Sequence, residues 1–77
     1  MSAPALVPAG DFLVRINGEE RPIARGTSVA VLVAELAPEA RMVAVECNGE
    51  IVPRQRWAET VLEAGDRIEI VRFVQGG

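Results

Sequence analysis

The sequence predicts an α+β domain, a mixed sheet of four to five strands with one main helix packed across one face. Three observations lead there. Segments that alternate apolar and polar residues, the period of a half-buried strand, recur at the start, middle and end of the chain, each bordered by turn residues. One stretch alone carries the helical period, and it falls between the second and third strand candidates. With 77 residues, the chain can fill one small core and has no room for a second domain.

Residues 1–10, rich in Pro and Ala and without periodicity, read as a flexible N-terminal extension. Residues 11–73 read as the folded domain and 74–77 as a mobile C-terminal tail. Phe12, Val14 and Ile16 alternate with Leu13, Arg15 and Asn17, and Asn17-Gly18 is a strong hairpin signal. A return strand is expected from Arg21 to Ala24. Pro22 removes a backbone donor there, which places that strand at an edge or Pro22 near its start. Ser28 is a good N-cap for a helix with Val29, Leu32, Val33 and Leu36 on one face, ended by Pro38. The β-branched Val29, Val31 and Val33 leave a strand open as the alternative. The helical connection is expected to join parallel strands with a right-handed crossover.

Beyond the helix, Val43, Val45 and Cys47 alternate with Ala44, Glu46 and Asn48, and Asn48-Gly49 marks a second tight turn. Ile51 and Val52 form a short return strand ended by Pro53, and Arg54 to Glu59 is irregular or a single turn. Glu63-Ala64-Gly65-Asp66 is a turn. The last strand, Arg67 to Phe73, puts Ile68 and Ile70 on one face and Arg67, Glu69, Val71 and Phe73 on the other.

Composition removes several function classes. Eight basic residues, all Arg, stand against eleven acidic ones, net −3, with neither sign gathered into blocks. Binding to nucleic acid needs clustered positive charge, and three aromatic residues offer no stacking ladder. There is no histidine and one cysteine, so neither an internal disulfide, a His-based zinc site nor a His general base is available. The first ten residues lack the charged start of a signal peptide, and no uncharged run is long enough to span a bilayer. A reducing cytoplasm is the expected location, with no membrane partner.

The chemistry is expected at the end of the chain, Val74-Gln75-Gly76-Gly77. Glycines accept almost any backbone geometry and can thread a channel too narrow for side chains. Extended from Arg72, the tail reaches roughly 20 Å. Its α-carboxyl has a pKa of about 3.5, so at neutral pH it is an anion and a poor electrophile that needs activation by another protein. Val71 and Phe73, opposite the core face, are candidate partner contacts together with Val74 and Gln75, unless the N-terminal extension or another strand covers them. Cys47 shares its parity with Val43 and Val45 and reads as an inert core thiol rather than a sulfur-holding one. Trp57 is expected to close the end of the core. Asp66 and Glu63 are expected to serve their turn. Arg54, Arg56 and Arg72 read as solvated charge, with steering toward an acidic partner as the alternative.

A compact body of this order followed by Gly-Gly resembles the ubiquitin-like β-grasp fold. Within it, the Asn48-Gly49-Glu50-Ile51-Val52-Pro53-Arg54 block, Trp57, Thr60, Leu62, the run Gly65 to Val71 and terminal Gly76-Gly77 resemble the ThiS family, the sulfur carriers of thiazole formation in thiamine biosynthesis. The resemblance runs from about Phe12 to Gly77. It departs at the N-terminal extension and at Cys47, where the family pattern has Val. It implies that a ThiF-type enzyme adenylates the Gly77 carboxylate with ATP. Sulfur from a cysteine-desulfurase persulfide then displaces AMP, and a ThiG-type thiazole synthase takes the sulfur from the resulting thiocarboxylate. The carrier would be no enzyme and would bind no cofactor itself. Rival readings are a carrier like the small subunit of molybdopterin synthase, a β-grasp interaction module whose tail is never activated, and a protein conjugated to lysines of its targets.

Overall fold

A computed structural model of the chain describes residue 7 and residues 9–38 and 42–73. Most of the expected extension and all of the expected tail, residues 74–77, lie outside the described residues. The elements are β1 (Asp11–Ile16), β2 (Glu19–Ala24), α1 (Val29–Leu36), β3 (Met42–Cys47), β4 (Glu50–Ile51), a single 3₁₀ turn (Arg54–Arg56) and β5 (Arg67–Phe73). The strands form one five-stranded sheet in the order β2-β1-β5-β3-β4.

Both hairpins follow from their Asn-Gly pairs. Asn17 and Gly18 have φ of 49° and 86°, and Asn48 and Gly49 have 53° and 86°. Two successive left-handed residues are what a tight hairpin turn with the native strand twist requires, and Asn and Gly supply them at little cost. The first turn sets β1 against β2 with Phe12 opposite Ile23 and Val14 opposite Arg21. The second sets β3 against the two residues of β4. β2 is an edge strand, which accommodates the missing donor of Pro22.

Ser28 has extended backbone and its Oγ accepts the Val31 N–H, the bond of an N-cap. Val29, Leu32 and Val33 are buried one turn apart, so the strand alternative for this valine-rich stretch gives way to the helix. Packing outweighs the modest propensity cost of the β-branched residues. The helix joins β2 to β3, which run in the same direction, as expected of such a connection. They are not neighbours, however, because β1 and β5 stand between them. The adjacent parallel pair is β1 with β5, through Arg15 opposite Arg67 and Ile16 opposite Ile68.

The core lies between α1 and one face of the sheet. Val14, Ile16, Ile23, Val45, Ile68 and Ile70 face Val29, Leu32 and Val33, and Trp57 and Leu62 close one end. Each of the larger side chains removed from water contributes about 1.5–3 kcal/mol. Trp57 closes the core as expected, and its Nε1–H donates to the Val52 carbonyl at 2.9 Å. The short return strand differs from expectation by one residue. β4 ends at Ile51, while Val52 turns its half-buried side chain to the core and still donates its N–H to the Val45 carbonyl at 2.8 Å. No helix among the described residues is long and apolar enough to cross a membrane.

Candidate functional site at the root of the C-terminal tail

β5 carries the chain to Phe73, the last described residue before the expected tail. Gly76 and Gly77, with Val74 and Gln75, lie outside the described residues, so the site is built here from its root. β3 flanks β5 from Ile68 to Phe73, leaving Arg67 beyond its end, whereas the pairing with β1 stops at Ile68. Two asparagine side chains continue the ladders where those strands turn away. The Ile70 N–H donates to Asn17 Oδ1 at 2.8 Å, and Asn17 Nδ2 donates to the Ile70 carbonyl at 3.2 Å. On the other side of β5, the Arg67 N–H donates to Asn48 Oδ1 at 2.9 Å, and Asn48 Nδ2 donates to Asp66 Oδ1 at 3.0 Å. The amide groups thus act as single rungs of backbone, each satisfying a donor that would otherwise lose its partner.

A third anchor lies nearer the tail. Arg72, on the face of β5 that looks toward α1, donates from Nη2 to the Leu36 carbonyl in the last turn of the helix. A cation at a helix C-terminus meets unsatisfied carbonyls and the negative end of the helix dipole. Arg72 is exposed, as expected of a solvated charge, and this hydrogen bond adds a fixed contact that the sequence did not show. Arg54 is exposed, and its guanidinium also lies 4.9 Å from the centre of the Trp57 ring. Arg56 is exposed and forms an ion pair of 3.8 Å with Glu59.

The opposite face of β5 is open. Val71 is 46% and Phe73 53% exposed, and their cross-strand partners are Ala44 and Met42, the latter 54% exposed. Two successive apolar rungs beside the root of the tail form a surface that a partner can cover. Sequence reasoning named Val71 and Phe73. It missed Met42 and Ala44, although the alternation that put them on the outer face of β3 was already visible.

Cys47 is half-buried at the rim of the core. Burial raises its thiol above the ordinary value of 9.0, and the Asp66 carboxylate adds to this by its charge and a hydrogen bond, followed by Glu50 and Glu63. A thiol held protonated is a poor nucleophile. Asp66 also accepts the Glu63 N–H on Oδ2 at 2.8 Å, so the turn before β5 is held by the residues expected to hold it. No group of three metal-ligating side chains occurs among the described residues.

Comparison with known proteins follows the same outline. The ThiS family matches residues 14–77. The sulfur carrier protein ThiS of Bacillus subtilis is 36% identical over 66 residues, covering 84% of this chain and 100% of that protein. A thiazole synthase from Paramagnetospirillum magneticum is 47% identical over 62 residues, 80% of this chain. The chain spans only about a fifth of that relative's length, 19%. The crystal structure of the thiamine biosynthesis protein ThiS from Geobacter metallireducens superposes with a TM-score of 0.72 at 30% identity, covering 86% of this chain and all of that one. The five-stranded mixed sheet with its single helix is therefore the ubiquitin-like β-grasp fold. Sequence match and fold converge, and the chain belongs to the ThiS family.

Proposed function

We propose that the Gly77 carboxylate is the working group of this chain, alternating between carboxylate and thiocarboxylate. The observation that carries the reading is the family match, which runs to Gly77 and so includes Gly76 and Gly77. A ThiF-type partner uses ATP to convert the carboxylate into an acyl adenylate. The terminal sulfur of a persulfide made by a cysteine desulfurase attacks the carbonyl and AMP leaves; thiols then reduce the S–S bond of the resulting acyl disulfide, which frees the thiocarboxylate and returns the donor cysteine as a thiol. A ThiG-type thiazole synthase then takes the sulfur from the thiocarboxylate. Similarity to part of a thiazole synthase supports that acceptor.

The carrier's own contribution is mechanical. Asn17, Asn48 and Arg72 fix β5, and Val71 and Phe73, with Val74 and Gln75 beyond, offer the contact surface beside the tail. Gly76 and Gly77 supply reach through a channel that excludes side chains. The protein acts as a co-substrate of other enzymes, bringing no cofactor of its own, and works in the cytoplasm.

The test is the intact mass after incubation with ATP, the cognate ThiF-type enzyme, a cysteine desulfurase and cysteine. Exchange of one oxygen for sulfur adds about 16 Da, localised to Gly77, and a variant with one residue added after Gly77 gains nothing. A wild-type mass that never changes, where another carrier is converted in parallel, leaves an interaction module whose tail is not activated.

A further inference from the structure

The outer face of the sheet carries charges that the fold does not use. Down β5 from the tail, the outward residues are Phe73, Val71, Glu69 and Arg67, alternating with Ile68 and Ile70 on the core face. Phe73 stands opposite Met42 and Val71 opposite Ala44, but Glu69 stands opposite Glu46, and Arg67 opposite Arg15, which on its other side faces Glu20 of β2. Like charges directly across a sheet destabilise it. Here two such rungs follow one another, although the same four residues in another order would make two opposite-charge pairs. None of the four side chains has a hydrogen bond or ion pair among the described residues. The Glu46–Glu69 rung, with no opposite charge directly across it, lies near an open apolar patch and marks a surface shaped by something other than stability alone.

We propose that this face is a banded docking surface, in which the Glu46–Glu69 rung receives a guanidinium or ammonium group of a partner protein and the Arg15–Arg67 rung receives a carboxylate. The proposal rests on the carrier reading and names the chemistry of the surface its partner presents: an apolar patch, then a basic side chain, then an acidic one. Successive outward residues of a strand lie about 7 Å apart, which sets the spacing of those bands. Glu46, Gly49, Arg67 and Glu69 line an open depression of about 200 Å³. That is below the roughly 300–1,000 Å³ of small-molecule sites and suits the end of one side chain. The occupant is therefore a protruding side chain of a protein, and the apolar rungs above it continue the same contact. The two like-charge rungs make the register unambiguous, since a slip of one rung brings a partner's cation onto Arg67.

The experiment measures binding of the cognate ThiF-type enzyme to four full-length proteins over a range of salt concentrations, with melting temperature alongside. These are wild type, E46Q/E69Q, R15Q/R67Q and the control E35Q/E59Q, which removes two carboxylates from other surfaces. Both rung variants are expected to bind roughly tenfold more weakly with a flatter salt dependence, and to melt at the wild-type temperature or above it. The control is expected to bind as wild type does. Unchanged binding by the rung variants overturns the proposal, as does an equal loss in the control, which would mean that only net charge matters. A lower melting temperature in the rung variants also overturns it, because the rungs would then serve the fold. If wild type is converted at Gly77 while the rung variants bind normally, the docking surface falls and the carrier reading stands. If wild type neither binds nor is converted, both fall together.

Discussion

Cys47 stands on β3 in parity with Val43 and Val45, at the edge of the core, with Asp66, Glu50 and Glu63 around it. Burial first, and these carboxylates after it, disfavour the thiolate. The consequence for stability has a definite sign. In the unfolded chain the thiol ionises near its ordinary 9.0, whereas in the folded protein it holds its proton to higher pH. The contribution is therefore fully present below that value and is lost as pH rises through the folded pKa. No other side chain confuses the measurement, since the chain has no Tyr and all eight of its basic residues are Arg. Denaturant titrations from about pH 8 to about pH 10 should show wild type losing stability while Cys47→Ala stays level. Parallel curves for the two proteins would remove Cys47 from the account. At the same scale, Trp57 illustrates how a large aromatic fits the end of a small core: its ring is buried under Arg54 and its one donor is satisfied by Val52.

At the scale of elements, β5 is the part on which the rest depends, because it runs between β1 and β3 and leads to the tail. Its seat includes two asparagine amides that replace missing backbone rungs. Asn17→Gly keeps a residue at ease with φ of 49° but removes both bonds to Ile70. Leaving those groups unpaired in a part-buried site should cost about 1–3 kcal/mol in denaturant unfolding. A loss within experimental error of zero would mean that water replaces the amide without penalty. Sequence reading identified both Asn-Gly pairs as turns, because left-handed geometry is a local property of the pair. Their second role, gripping a strand 53 residues away in the case of Asn17, depends on which strand lies alongside, and no local pattern carries that. The same reason explains the helix connection. Alternation located β1, β3 and β5 and their buried faces, but the pairing of β1 with β5 is a long-range choice. Arg72 escaped for a similar cause, since its partner is a backbone carbonyl contributed by another element.

For the molecule as a whole, the two faces of the sheet divide the work. One face is consumed by the core under α1, and the other leaves Met42, Val71 and Phe73 open beside the tail. Because these side chains are already half in water, replacing them removes little folding energy. The double variant Val71→Ser, Phe73→Ser should unfold within about 0.5 kcal/mol of wild type per site. Its conversion at Gly77 by the ThiF-type enzyme should fall at least about tenfold at limiting carrier, since truncating central interface anchors typically costs more than 1 kcal/mol each. Conversion at the wild-type rate would move the docking surface elsewhere.

The parallel pair in the sheet has a bearing on how the protein is made. β1 begins at Asp11 and β5, the middle strand, ends at Phe73, so these two neighbours come from opposite ends of the described chain. A growing polypeptide that has emerged only as far as β4 holds β1 and β3 with an empty lane between them, and a helix whose apolar stripe has half a surface to cover. Contacts of such long sequence separation form late and cooperatively. Folding therefore waits for the last strand. A product that stops before β5 leaves the apolar residues of β1, β3 and α1 uncovered, which exposes it to proteolysis. The topology makes synthesis through Phe73 a condition for a closed core.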